Sequence, residues 1–75
     1  MSLKASQVHS LANRLDELRS ELEDFRDKKE ETLSNARDAE RPNESRIDTL
    51  ETQLAILEDA LTDLENCISI LEDYS

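Results

Sequence analysis

The sequence predicts an all-α protein, an antiparallel hairpin of two helices that pack like a coiled coil. The 75-residue chain has no glycine, one proline and 3% aromatic residues, whereas β-sheets favour aromatic side chains and need turn residues. Apolar residues recur at gaps of three and four in two separate stretches, which is the spacing of helices that pack together. The proline lies between the stretches and marks the connection.

The second stretch, residues 47–71, has the more regular pattern. With heptad positions lettered a to g, every a and d position is apolar and every e position is glutamate. The a and d residues are Ile47, Leu50, Leu54, Leu57, Leu61, Leu64, Ile68 and Leu71. The e residues are Glu51, Glu58, Glu65 and Glu72. This unbroken pattern predicts a helix over about residues 43–74.

The first stretch has the same spacing but loses its apolar character before the proline. Its a and d residues are Val8, Leu11, Leu15, Leu18, Leu22 and Phe25. Continuing the frame reaches Lys29 and Thr32, which are polar. We expect a helix over about residues 3–35, with Ser2 or Ser6 as its N-cap because a serine oxygen accepts a free backbone N–H.

The connection lies within residues 34–45 and we place the loop at about 36–42, in a single domain of residues 1–75. Pro42 cannot sit inside a helix. Asn35 is expected to end the first helix in a left-handed conformation. The second helix begins either with Pro42 as its first residue or at Ser45.

Two long helices with a short connection fold back on each other. The numbers of facing residues then share one sum, and a sum of 79 places apolar pairs opposite each other from Val8–Leu71 to Phe25–Leu54. A sum of 86 sets Lys29 against an apolar residue in mid-helix, so we prefer 79.

Charge also favours the antiparallel arrangement. The e positions of two antiparallel helices lie near each other, and the first helix has Arg19 and Arg26 at e. Both arginines are expected to reach Glu58 and Glu65. Exposed ion pairs contribute only about 0.2–1 kcal/mol each, so these pairs select the orientation more than they stabilise it.

A second apolar stripe runs beside the seam of the second helix. It contains Ile56, Ala60, Cys67, Ile70 and Tyr74, at c and g positions. A helix with a wide apolar arc usually contacts more than one neighbour, and small chains with thin cores often oligomerise. We therefore predict a homodimer, a four-helix bundle with this stripe at the interface.

The charge of the chain limits its partners. Its formal net charge is −10, so it should repel nucleic acid and anionic membranes, with a basic protein as one candidate foreign partner. It lacks an apolar run that could span a membrane and an N-terminal signal pattern. We expect a cytoplasmic protein.

The sequence contains no pattern typical of catalysis, a cofactor or a metal site. His9 is the only histidine and has no companion ligand at metal-binding spacing. The carboxylates follow a solvated helix pattern without a calcium loop, so we expect no enzyme activity. Cys67 is expected to be a small buried hydrophobe, with an intermolecular disulfide or a reactive thiol as alternatives. One cysteine excludes an internal disulfide.

The acidic side of the second helix suggests two functions. From Glu44 onward there are nine acidic residues and one basic residue, Arg46. The row formed by Glu51, Glu58, Glu65 and Glu72 serves either as a solvated face or as an imitation of a phosphate backbone. The leading hypothesis is a non-enzymatic protein–protein interaction or oligomerisation module. The alternative is an acidic mimic that inhibits a DNA- or RNA-binding protein.

Several short segments resemble small acidic helical-hairpin proteins of phage and bacterial genomes. The resemblance lies in residues 30–35 (EETLSN), 44–46 (ESR), 57–61 (LEDAL) and 71–73 (LED). That class has no assigned activity to carry over. The architecture also resembles the Rop type of hairpin dimer, but the basic and aromatic RNA-binding face of that type is missing here. Phe25 is the only aromatic residue of the first helix, and it lies at a core position.

Overall fold

The computed structural model describes residues 4–74, which form two antiparallel helices. Helix α1 spans Ala5–Arg37 and helix α2 spans Glu44–Glu72. The two helices pack against each other, which confirms the predicted all-α hairpin. The hairpin is a rod of 59 × 17 × 15 Å. Neither helix of the described part is apolar enough over a sufficient length to cross a membrane.

The ends of α1 differ from the prediction. The predicted start at residue 3 and the candidate cap Ser2 lie outside the described residues. Lys4 is the N-cap, with its backbone N–H donating to Gln7 Oε1 at 2.9 Å, and Ser6 lies inside the helix. The helix continues past Asn35 to Arg37. Asp38 then closes it in a right-handed conformation, with its N–H donating to the Ser34 carbonyl at 3.1 Å.

The predicted left-handed cap at Asn35 is therefore wrong, and no described residue has a positive φ. The longer helix has a packing reason. Ala36 lies against the buried cluster of Leu33, Leu50 and Leu54 near the loop. Ending the helix at Asn35 would remove this contact.

Asn43, rather than Pro42 or Ser45, sets the start of α2. Its side-chain Oδ1 accepts the N–H of Arg46 at 3.1 Å, so it satisfies one of the backbone donors left free at a helix N-terminus. Pro42 precedes the cap, outside the helix. The connection between the helices is thus residues 38–43.

Over most of the hairpin, the numbers of facing residues add to values between 79 and 86, the two sums considered from the sequence. Four side-chain contacts join the helices, and one of them, Arg37 Nη2 to Glu51 Oε1 beside the loop, has a residue sum of 88. The other three lie farther from the loop. Lys29 Nζ lies 3.1 Å from Gln53 Oε1, His9 Nε2 2.9 Å from the Tyr74 carbonyl, and Arg19 Nη1 3.9 Å from Glu65 Oε1. Their residue numbers add to 82, 83 and 84, so the predicted sum of 79 is wrong.

The shift in register follows from a rotation of α1. Its buried residues are Val8, Ala12 and Leu33. Val8 is an a position, but Ala12 and Leu33 are e positions. The a/e side of α1 therefore faces α2, and the predicted d residues turn away. Helix α2 keeps the expected orientation, with Leu54, Leu61 and Ile68 of its a positions buried.

Lys29 is accommodated at its predicted core position because its charge stays at the edge of the interface. Its ammonium donates to Gln53 Oε1 and lies 5.7 Å from the centre of the Phe25 ring. The aliphatic stem can then cover apolar surface while the charged end remains accessible. The residue that weakened the sequence pattern thus still contributes to packing.

We predict that Asn43→Ala lowers the free energy of unfolding by about 1 kcal/mol, because it removes the N-cap of α2. Urea denaturation followed by circular dichroism at one protein concentration measures the change. The matched control is Asn35→Ala, which makes the same substitution inside α1, where alanine favours the helix. Equal effects of the two substitutions would contradict the assignment of Asn43 as the cap.

Candidate interaction surface

The exposed large hydrophobic residues of the hairpin lie on one side of it. They are Leu11, Leu18, Phe25, Ile56, Ile70 and Tyr74. Those of α1 are d positions, Ile56 and Ile70 of α2 are c positions, and Tyr74, a g position in the sequence frame, follows the end of α2. We call this side the apolar face and include Ala60 and Cys67, which are also exposed g residues.

Shallow grooves show that the two helices contribute to a common surface. One groove is lined by Phe25 of α1 together with Ile56 and Leu57 of α2. Toward the chain termini, Leu11 and Leu18 line another groove with Leu71. Leu71 also borders a third groove, with Cys67 and Ile70. The apolar face is thus continuous across both helices.

Sequence reasoning missed the contribution of α1 to this face. It assigned Leu11, Leu18 and Phe25 to the seam within the hairpin, but they are about half exposed, at 43%, 54% and 52%. The signal for the true seam was a weaker stripe at a and e. Its apolar members Ala12 and Leu33 are separated by arginines, and this interruption concealed the stripe.

The stripe predicted on α2 has the expected exposure in the single chain. Ile56, Ala60, Cys67, Ile70 and Tyr74 are all exposed, and Ile70 is the most exposed large hydrophobic residue at 71%. The expectation that Cys67 is buried is wrong for the single chain. As a g residue it points away from the seam, and α1 does not extend over it.

The charged residues around the apolar face nearly balance. Arg14, Lys29 and Asp63 line its grooves. Glu21 and Lys28 follow Arg14 at intervals of seven residues and therefore lie on the same side of α1. Three positive and two negative side chains thus flank this face, although the chain as a whole has a net charge of −10.

The opposite side of the hairpin contains its cross-helix ion pairs. Arg37 Nη2 lies 2.9 Å from Glu51 Oε1, and Arg19 approaches Glu65. Arg19 also pairs with Asp16 and Glu23 on its own helix. The predicted contact of Arg19 with the e row of α2 is thus present at Glu65.

Arg26 behaves differently from the prediction. It pairs with Asp27 at 3.1 Å and approaches Glu30 at 3.9 Å, both on α1, instead of reaching α2. The hydrogen bond to Asp27 raises the pKa of Arg26, as the hydrogen bond to Asp16 raises that of Arg19. Both arginines remain positively charged at any physiological pH. They neutralise the carboxylates beside them and do not release a proton at these pH values.

The glutamate row on α2 is exposed along its length, but arginines of α1 reach half of it. Glu51 pairs with Arg37, and Glu65 lies within 3.9 Å of Arg19. A phosphate backbone presents its charges at regular intervals. Local neutralisation interrupts that regularity here.

Among residues 4–74, the His, Cys, Asp and Glu side chains form no group of three or more that could hold a metal ion. His9 is exposed, as predicted, and its Nε2–H donates to the Tyr74 carbonyl. This hydrogen bond joins the C-terminal end of α2 to the N-terminal part of α1.

Comparisons with protein-family models, curated proteins and solved structures find no match to this chain. The resemblance to small acidic hairpin proteins of phage and bacteria therefore stays a prediction from sequence.

We predict that Leu33→Ala lowers the free energy of unfolding by about 2–4 kcal/mol at every protein concentration, because Leu33 is buried within the hairpin. Leu18→Ala should cost less than about 1 kcal/mol in the most dilute samples, because Leu18 is exposed in a single chain. Urea denaturation over a range of protein concentrations separates the two effects. Equal costs in dilute solution would contradict the a/e packing of α1.

Proposed function

We propose that the chain is a non-enzymatic protein–protein interaction module that self-associates through its apolar face into a homodimer. Two hairpins joined at this face form a four-helix bundle. The observation that carries the proposal is the grouping of all exposed large hydrophobic residues of the described chain on one side. Exposed apolar surface that is contiguous across two elements marks an interaction site.

The thin core of the single hairpin supports the proposal. Seven hydrophobic residues are buried in the described chain. The radius of gyration is 17.3 Å, compared with about 11 Å expected for a compact domain of this length. The accessible surface is 5899 Å², whereas a compact monomer of this mass would expose about 4,700 Å². Packing against a second hairpin would cover this excess surface.

The dimensions of the face suit a dimer. A side of 59 × 17 Å has a projected area of about 1,000 Å², and a standard interface buries about 800 Å² on each partner. The near balance of charge around the face also matters. Two chains of net charge −10 can approach there without placing their most acidic surfaces together.

Mimicry of nucleic acid is the less favoured function. The glutamate row is partly neutralised by Arg37 and Arg19, and it lies on the side opposite the apolar face. A solvated acidic face that keeps the dimer soluble accounts for the same residues.

The dimer predicts a mass of two chains in sedimentation equilibrium at micromolar concentration. Ala60→Glu should shift this mass to one chain, because it places a charge within the apolar face. Ala55→Glu is the matched control. It adds the same charge to the same helix five residues away, about 140° around the helix axis, at an exposed position.

The control variant should keep the mass of two chains, and circular dichroism should show both variants to be helical. A mass of one chain for the unmodified protein would overturn the proposal. So would equal loss of the dimer in both variants, because the effect would then follow net charge instead of position.

A further inference from the structure

We infer that the two copies pack antiparallel, with a two-fold axis that crosses α1 at Leu18 and brings Arg14 of each copy to the partner's Glu21. This inference rests on the proposed self-association through the apolar face. It names the partner of that face as a second copy of the chain and defines how the two copies are oriented.

In a closed dimer that joins two apolar faces, the two-fold axis lies in the plane of the interface. When the helices of the two copies are aligned, as in a four-helix bundle, this axis runs either along the helices or across them. If the axis runs along the helices, both loops are at the same end and α1 lies against the partner's α2. We call this arrangement parallel. If the axis runs across the helices, the loops are at opposite ends and α1 lies against the partner's α1.

The apolar residues of α1 are arranged symmetrically about Leu18. Leu11 and Phe25 lie seven residues on either side of it, and the next d positions outward are polar, Lys4 and Thr32. In the antiparallel dimer Leu18 meets itself and Leu11 meets the partner's Phe25. The apolar segment of α1 is therefore complementary to its own copy.

Helix α2 has its apolar segment centred at nearly the same level. The contacts within the hairpin place residue 65 of α2 level with Leu18. The exposed pair Ile56 and Ile70 is centred on residue 63, and the pair Ala60 and Cys67 between residues 63 and 64. These centres differ from the level of the axis by about 3 Å. One axis thus serves both helices.

The charged residues at the edge of α1 favour the antiparallel dimer. Arg14 and Glu21 lie on the same side of the helix, about 10 Å apart along its axis, and form no ion pair within the described chain. An axis at the level of residues 17–18 exchanges their positions. Each Arg14 then faces the partner's Glu21, so the dimer gains two symmetric ion pairs.

The parallel dimer places like charges together at the same edge. In the hairpin, residue 62 of α2 lies at the same height along the rod as Glu21. In the parallel dimer, Glu21 of each copy would therefore lie beside the partner's Asp63, which makes two like-charge contacts. In the antiparallel dimer the two Asp63 carboxylates approach each other once, displaced by about 6 Å along the helices. Charge complementarity determines the orientation of a complex more than its affinity. Here it favours the antiparallel orientation.

Cysteine cross-linking tests the orientation. Cys67 is first replaced by alanine, and single cysteines are then introduced as Leu18→Cys or Phe25→Cys. A disulfide needs Cα atoms within about 7 Å. In the antiparallel dimer residue 18 lies beside its own copy, whereas the two copies of residue 25 are about 21 Å apart along the helices. Diamide oxidation should therefore cross-link Leu18→Cys at least about tenfold faster.

A second arm mixes Leu11→Cys chains with Phe25→Cys chains, which should give a mixed cross-linked dimer. Sedimentation of each reduced variant is measured in parallel. A mass of two chains with equal cross-linking at positions 18 and 25, or none at 18, would overturn the orientation and leave self-association intact. A mass of one chain for the Cys67→Ala parent would overturn the proposed function itself.

Charge reversal tests the same geometry without cysteines. Arg14→Glu and Glu21→Arg should each weaken the dimer about tenfold at low salt, because each creates two like-charge contacts. The double variant should recover to within about threefold of the original Kd. Glu31→Arg is the control for net charge, because Glu31 is exposed on the outer side of α1 and lies more than two helical turns from Glu21.

The control should bind at least as tightly as the unmodified chain, because it reduces the overall repulsion between two acidic copies. Failure of the double variant to recover would overturn the pairing of Arg14 with the partner's Glu21. So would equal effects of Glu31→Arg and Glu21→Arg.

Discussion

A hairpin of two helices offers each helix one neighbour, and this constraint determines how the chain distributes its apolar side chains. A helix in such a pair can bury one narrow stripe. Both helices here carry a wider apolar arc than that. Part of each apolar arc therefore stays exposed to solvent, and the exposed parts of both helices lie on the same side of the hairpin.

The helices resolve the constraint differently. Helix α2 turns its strong a/d seam inward and leaves Ile56 and Ile70 outside. Helix α1 turns its weaker a/e stripe inward, with Ala12 buried and Arg19 half-buried, and leaves Leu11 and Leu18 exposed. The arginine can occupy the edge of the interface because its guanidinium reaches Asp16 and Glu65.

The hairpin, the approximate helix lengths and the solvent exposure of Ile56 and Ile70 were predictable from the sequence. These features depend on local periodicity and on one proline. The rotation of α1 was not predictable in the same way. The d positions of α1 hold Leu11, Leu18 and Phe25, whereas its e positions include arginines, so the a/d stripe is the more apolar of the two. The competing stripe contains Arg19, Arg26 and Lys29, whose long stems pack while their charges stay at the edge.

The helix boundaries show the same division between local and tertiary causes. Pro42 correctly indicated a break in the helix, but the boundaries follow a tertiary contact at the end of α1 and a local cap at the start of α2. Ala36 packs on the cluster near the loop, and this contact accompanies the extension of α1 past Asn35. Asn43 could have been recognised as a cap from its residue type, since asparagine is among the best N-caps.

The orientation of α1 is the feature that a single hairpin explains least well. Burying Leu11, Leu18 and Phe25 in place of Ala12, Arg19 and Arg26 would remove more apolar surface from water. The observed rotation instead gathers these residues with Ile56 and Ile70 on one continuous surface. In a four-helix bundle each helix has two neighbours, so the a/e side of α1 can face α2 while the d side faces another copy. The same rotation exposes Arg14 and Glu21 along the edge of that surface, about 10 Å apart along α1 and so too distant to pair with each other within one chain.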